Sequence, residues 1–146
     1  MLFRSGGTWH SHDPEYLDNF IRDVYWVINN FEEIINLIIK NSQLNLSEEY
    51  LVLPLKKSKN EEIKFNRNAK IHISGLSIET RPDMISVKSL VELRKHSVTM
   101  PQYGIEHTND KLLKRINRRC TNKHNAIAIM LTYAMCLKCE IGRAHV

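Results

Sequence analysis

The chain has 146 residues, enough for one ordinary domain but not for a second sizeable one. Hydrophobic residues at 42% and charged ones at 25%, with only 5 glycines and 4 prolines, exclude disorder and collagen- or linker-type chains. A surplus of 21 Lys and Arg over 16 Asp and Glu gives a net charge of +5, which permits an anionic partner such as RNA without requiring one.

Residues 6–12 read as a loop, and Asp13-Pro14 then opens a helix, with Asp13 as N-cap and Pro14 in the first turn. Leu17, Phe20, Ile21, Val24, Val27, Ile28 and Phe31 recur at helical spacing and predict one buried stripe. The pattern restarts at Ile34, Ile35, Ile38 and Ile39, either continuing that helix or forming a second. Residues 41–60, with Asn41-Ser42, Pro54 and Lys56-Lys57-Ser58-Lys59, read as an irregular surface insertion.

Ile71, Ile73, Leu76 and Ile78 predict a buried strand ending at Glu79 and closed by a Thr80-Arg81-Pro82-Asp83 turn. A helix over 84–96 turns Val87, Leu90, Val91 and Leu93 inward. A second strand spans 98–105, weakened by Pro101. Thr108 or Asn109 caps a short helix with Leu112, Leu113 and Ile116 inside, and a last helix over 122–137 buries Ile127, Met130, Leu131 and Ala134.

Strands separated by helices imply an α/β fold with a parallel sheet, whose ligands sit at the carboxyl ends of the strands. That rule selects Gly6-Gly7-Thr8, Glu79 and Glu106. The two carboxylates suit the vicinal hydroxyls of a ribose, although the pattern alone fits a pair of surface ion-paired acids better. Arg118 suits a ligand carboxylate bidentately, or is one member of a basic cluster with Lys114, Arg115, Arg119 and Lys123. Cys136-x-x-Cys139 falls at the end of an apolar helix, so it and Cys120 read as buried, inert thiols rather than metal ligands. His10 and His12 read as loop histidines.

These residues, taken together, resemble one family. Gly6-Gly7-Thr8, the run Gly75-Leu76-Ser77-Ile78-Glu79-Thr80-Arg81-Pro82-Asp83, Gln102-Tyr103-Gly104-Ile105-Glu106-His107 and Ile116-Asn117-Arg118 are similar in order and spacing to the Elongator catalytic subunit family of radical S-adenosylmethionine (SAM) enzymes. The likeness runs from Gly6 to about Cys139. It implies part of a (βα)₆ barrel in which a [4Fe–4S] cluster binds SAM and cleaves it to a 5′-deoxyadenosyl radical. With acetyl-CoA, that radical installs a carboxymethyl-type group on the wobble uridine of tRNA. It also implies that Gly6, Gly7 and Thr8 hold the methionyl amino end of SAM, that Glu79 and Glu106 face its ribose, and that Arg118 meets its carboxylate. The basic group Lys114, Arg115, Arg119 and Lys123 is then a candidate tRNA contact, and other Elongator-type subunits are candidate partners.

Departures accompany the match. The family's cluster cysteines precede the Gly-Gly-Thr segment and its acetyltransferase domain follows, and this sequence shows neither. No catalytic residue and no metal ligand is therefore assigned. Arg119 and Ser97 stand where the family usually has Gly, Pro101 is unexpected in a strand, and Glu106 stands where many members carry Gln. Residues 1–5 and 140–146 resemble translated sequencing-adapter DNA and are set aside, leaving 6–139 as a partial radical SAM domain, inactive as this chain. The expectation for the sheet is two strands, with the beginnings of others and two unpaired edges. The competing readings are a stand-alone nucleic-acid-binding module using Lys56, Lys57, Lys59 and the 114–123 cluster, and a radical SAM enzyme of another activity. No apolar run approaches the ~18–20 residues of a membrane span. Three cysteines without an export signal suggest a reducing cytoplasm.

Overall fold

The computed structural model describes residues 2–5, 8–43 and 52–142, which fall into two compact units. Gly6 and Gly7 lie outside the described residues.

One unit is helical and runs over Pro14–Ile73. Helix α1 (Pro14–Asn29) starts at the expected proline, and α2 (Phe31–Gln43) is a separate helix rather than its continuation. Helix α3 (Lys59–Asn66) begins at the end of the 41–60 stretch expected to be irregular and runs on through residues for which no element was expected. A reciprocal capping box nucleates it: Glu61 N–H bonds Ser58 Oγ at 3.4 Å, and Ser58 N–H returns 3.0 Å to Glu61 Oε2. The buried stripe of α1 is Leu17, Ile21, Tyr25 and Trp26, facing Ile63 of α3 in the unit's core. Val27 and Phe31, expected inside, are 41% and 43% exposed. The stripe drifts because Trp26 is drawn inward, its indole N–H donating 3.1 Å to the Pro54 carbonyl. Helix α2 buries none of its side chains and leaves Ile35, Ile38 and Ile39 exposed.

The other unit, Leu2–Asp13 with the chain from Ser74 onward, carries the sheet. Strands β1 (Leu2–Ser5), β2 (Gly75–Thr80), β3 (Met100–Gly104) and β4 (Glu140–Gly142) lie side by side in that order, all parallel. The α/β expectation with parallel strands and flanking helices is borne out, and the two strands expected, β2 and β3, are flanked by two short ones. Residues 2–5 and 140–142, set aside in the sequence reading, form these outer strands. Ladder bonds are main-chain bonds, so a four-residue and a three-residue segment can join a sheet edge with little demand on sequence.

Strand β2 begins at Gly75 and not at Ile71, because a side chain takes the place of a ladder. Asn66 Oδ1 accepts from Ile73 N–H at 2.8 Å, and its Nδ2 donates to the Ile71 carbonyl at 3.3 Å. Pro101 sits inside β3, opposite Ile78, and β4 pairs only from Gln102 onward, one residue past it.

Helices α4 (Val87–Lys95), α5 (Asp110–Arg115) and α6 (Asn122–Ala134) cover the sheet, capped by Ser86, Asn109 and Thr121. Leu90, Leu93 and Leu113 of these helices are buried, as are Leu76, Ile78 and Tyr103 of the sheet. Val87, Val91, Leu112 and Ile116 point outward instead. Helix α6 is inverted relative to expectation: Asn125, Ala128 and Thr132 are buried, while Ile127 and Met130 are 40% and 70% exposed and Ala134 is exposed too. Tyr103 is the reason for this choice of face, since its hydroxyl meets Thr132 Oγ1 at 2.5 Å in the interior.

Each of these helices ends on a left-handed residue that is not glycine: Ser97 (φ 61°), Asn117 (φ 56°) and Cys136 (φ 54°). In all three the next N–H reaches back five residues, Val98 to Leu93, Arg118 to Leu113 and Leu137 to Thr132, which is the Schellman arrangement. The strained position near Arg119 is therefore Asn117, and Asn tolerates it best. Ser97→Gly and Cys136→Gly are each expected to stabilise the chain by about 0.5–1 kcal/mol in urea unfolding, and Asn117→Gly by less.

Candidate functional site

Parallel strands bring their carboxyl ends to one edge, and ligands of such sheets bind there. Past β1 lie Thr8 and a 3₁₀ turn, Trp9–Ser11, closed by Ser11 Oγ donating 2.6 Å to the Thr8 carbonyl. Glu79 is half-buried in the last turn of the pleat of β2, in register with Gln102, and Thr80 is in register with Tyr103. Glu106 follows β3 two residues after its end.

The chain takes an unusual path to present Glu106. Its φ is 63°, and His107 N–H bonds back to the Ile105 carbonyl at 2.7 Å, a γ-turn of the rare positive-φ hand. A non-glycine residue in that state is strained and persists only when its surroundings fix it. Arg118 supplies the fixing contact: its guanidinium pairs with the Glu106 carboxylate, whose side chain is only 12% exposed. Gly104 lies beneath the pair, where an added Cβ would stand 3.5 Å from Glu106 Oε1 and 3.7 Å from Arg118 Nη2. The structure thus brings Glu106 and Arg118 into contact, although the resemblance gave them opposite ends of one ligand.

Two features of this rim carry no clear sequence signal. His10 Nδ1 lies 2.9 Å from Thr80 Oγ1, while its buried Nε2 has no hydrogen-bond partner among the described residues. Burial holds the imidazole below its ordinary pKa, so it is neutral at neutral pH. The turn after β2 is braced by Arg81, which grips Asp83 through Nε at 3.0 Å and through Nη2. Burial pushes the Asp83 carboxyl up, but the Arg81 guanidinium outweighs it and holds the group below the usual carboxylate range. That pair stiffens the segment leaving Glu79, which only the Thr-Arg-Pro-Asp spelling hinted at.

Lys114, Arg115, Arg119 and Lys123 are all exposed. The lysines of the alternative module differ: Lys56 pairs with Asp23 at 3.0 Å and Lys59 with Asp18 at 2.5 Å, so neither is a free charge.

The fit to the implied groups divides. The buried His10 Nε2, two rim carboxylates and a five-donor guanidinium suit a polar ligand with hydroxyls and a carboxylate, as SAM has. A [4Fe–4S] cluster fits poorly, because among the described residues no three His, Cys, Asp or Glu side chains gather as a metal site. Cys120 is buried, Cys136 is exposed on its left-handed turn, and burial pushes the Cys139 thiol up, away from the thiolate a metal needs. Among the described residues no helix is long and apolar enough to cross a membrane.

Fold and rim together describe an α/β protein with a candidate site at its strand ends, and the comparisons with known proteins bear on the fold. No family model matches the sequence. The chain is 28% identical over 117 residues to a tRNA uridine(34) acetyltransferase of Methanocaldococcus infernus, a match covering 80% of this chain and 18% of that protein. Its structure is similar to that of the archaeal Methanocaldococcus infernus Elp3 with an N-terminal deletion, with a TM-score of 0.78, 24% identity, and coverage of 97% of this chain and 28% of that one. The chain is thus similar in sequence to this archaeal acetyltransferase and in fold to the archaeal Elp3, and it spans less than a fifth of the length of its curated relative.

Proposed function

We propose that the sheet unit holds S-adenosylmethionine at its rim and that the chain is the SAM-holding part of a tRNA uridine-modifying enzyme of the Elongator catalytic type. The observation that carries this reading is the strained Glu106, fixed by Arg118 at the same strand-end edge as Glu79. Glu79 accepts hydrogen bonds from the ribose hydroxyls. Arg118 has five donors, so it keeps Glu106 on one edge of its fork and takes the methionyl carboxylate on the other. Thr8, with Gly6 and Gly7, approaches the amino end. Lys114, Arg115, Arg119 and Lys123 meet tRNA phosphates, which position the RNA without reading its sequence. SAM supplies the adenosyl carbon for the chemistry; the chain's part is to fix both ends of the donor in register.

No step is routed through an iron–sulfur cluster, since the described thiols do not assemble one. Radical chemistry, acetyl-CoA use and contacts with other Elongator-type subunits belong, in this reading, to a longer protein working in the cytoplasm. Equilibrium dialysis with labelled SAM tests the reading. Arg118→Ala and Glu79→Ala are each expected to weaken binding about tenfold or more, while Lys114→Ala leaves it unchanged. Binding that ignores both rim substitutions would overturn the assignment.

A further inference from the structure

Helix α3 carries a second feature, on the helical unit and independent of the strand ends. An open groove of about 540 Å³ is lined by Lys57, Glu61, Lys64, Phe65 and Asn68. Phe65 is 51% exposed, and the Lys57 ammonium sits 4.6 Å from its ring centroid. The backbone presenting Lys57 is held from below: its N–H donates 3.0 Å to Oε1 of Glu62, a side chain buried to 3% exposure and gripped on Oε2 by Asn29 at 2.7 Å.

The charges of this unit sort by place. Lys56, Lys59 and Lys70 are bound to Asp23, Asp18 and Glu32. Lys57 and Lys64, which line the groove with Phe65, form no salt bridge among the described residues and are exposed. Glu61 is the acid at the groove, and its carboxylate is turned onto the N–H and hydroxyl of Ser58. Two cations against one acid, set at an exposed ring, match the chemistry of a nucleotide chain: phosphates for the cations and a flat base for the ring.

We propose that this groove is a shelf for unpaired nucleotides of an RNA strand, with a base stacked on Phe65 and its flanking phosphates on Lys57 and Lys64. The choice of RNA rests on the function proposed above, and the location rests on the helical unit alone. A duplex keeps its bases stacked on one another and offers the ring nothing, so the shelf favours single strands.

Fluorescence anisotropy with the whole 146-residue chain tests this, using a labelled uridine-rich single-stranded RNA and a duplex of equal length at several salt concentrations. The single strand is expected to bind more tightly than the duplex. Phe65→Ala should weaken single-strand binding about tenfold, and Phe65→Trp should retain it. Lys57→Gln combined with Lys64→Gln should lower the slope of log affinity against log salt by about 1–2, and Lys56→Gln should not. Equal affinity of Phe65→Ala and the unmodified chain, or of duplex and single strand, overturns the proposal. If only Lys114→Gln with Lys123→Gln abolishes RNA binding, the shelf is wrong and the proposed function stands. Phe65-dependent RNA binding without any SAM binding gives the converse.

Discussion

Replacing Arg118 with methionine is expected to destabilise the chain by about 1–3 kcal/mol in urea unfolding. The loss is large for a rim residue because of what remains behind. Glu106 keeps its left-handed backbone and its 12%-exposed carboxylate but loses the cation that fixes both. Arg118 is itself 29% exposed, which places the cost below that of breaking a fully buried pair. Glu106→Gln keeps an acceptor for the guanidinium and should cost about 1 kcal/mol. The double variant should cost less than the sum of the two, with a coupling of about 0.5–3 kcal/mol. Strict additivity would mean that the pair holds nothing in place.

Raising the pH from 10 towards 12 should unfold the chain through Tyr103. Burial pushes the phenol from its ordinary 10.0 up to about 12. Thr132 gives its own proton to the Ala128 carbonyl at 2.7 Å, so Tyr103 must be the donor in their 2.5 Å bond, and ionisation removes that donor. The unfolded chain releases this proton near pH 10 and the folded chain holds it to about 12. Stability is therefore fully present below 10 and declines by about 1.4 kcal/mol per pH unit until the folded group titrates. Tyr103→Phe should cost about 1 kcal/mol at neutral pH and lack this share of the alkaline decline. Urea midpoints measured between pH 9 and 12 for both chains decide it; parallel curves would remove Tyr103 from the account.

What could be read from the residues was whatever local chemistry decides. Pro14 opened α1, Asn109 capped α5, and the apolar runs at Leu76 and Ile78 became a central strand. The strand-end rule then found Glu79 and Glu106 on one edge without reference to any family. The rest depended on long-range partners. Asn66 binds residues five and seven positions away and halts β2 short of Ile71, which no local pattern encodes. Helix α6 has the right period but the opposite face inward, because Thr132 answers to Tyr103, 29 residues away. Capping boxes at Ser58 and Ser86 were legible in principle; the lysines around Ser58 masked the first behind a loop-like composition.

The Schellman ends of α4 and α6 have a consequence for how this sheet can change. Each pivots on a single residue, Ser97 or Cys136, and is pinned by a buried neighbour, Val98 or Leu137, before β3 or β4 begins. That floor tolerates neither insertion nor re-routing, because one added residue would unseat the pin. The roof, where segments leave β2 and β3, is braced by side-chain pairs, Arg81 with Asp83 and Arg118 with Glu106, and not by the backbone clamp of a helix end. Evolution can therefore re-tool the chemistry overhead while the underside keeps every strand in lane.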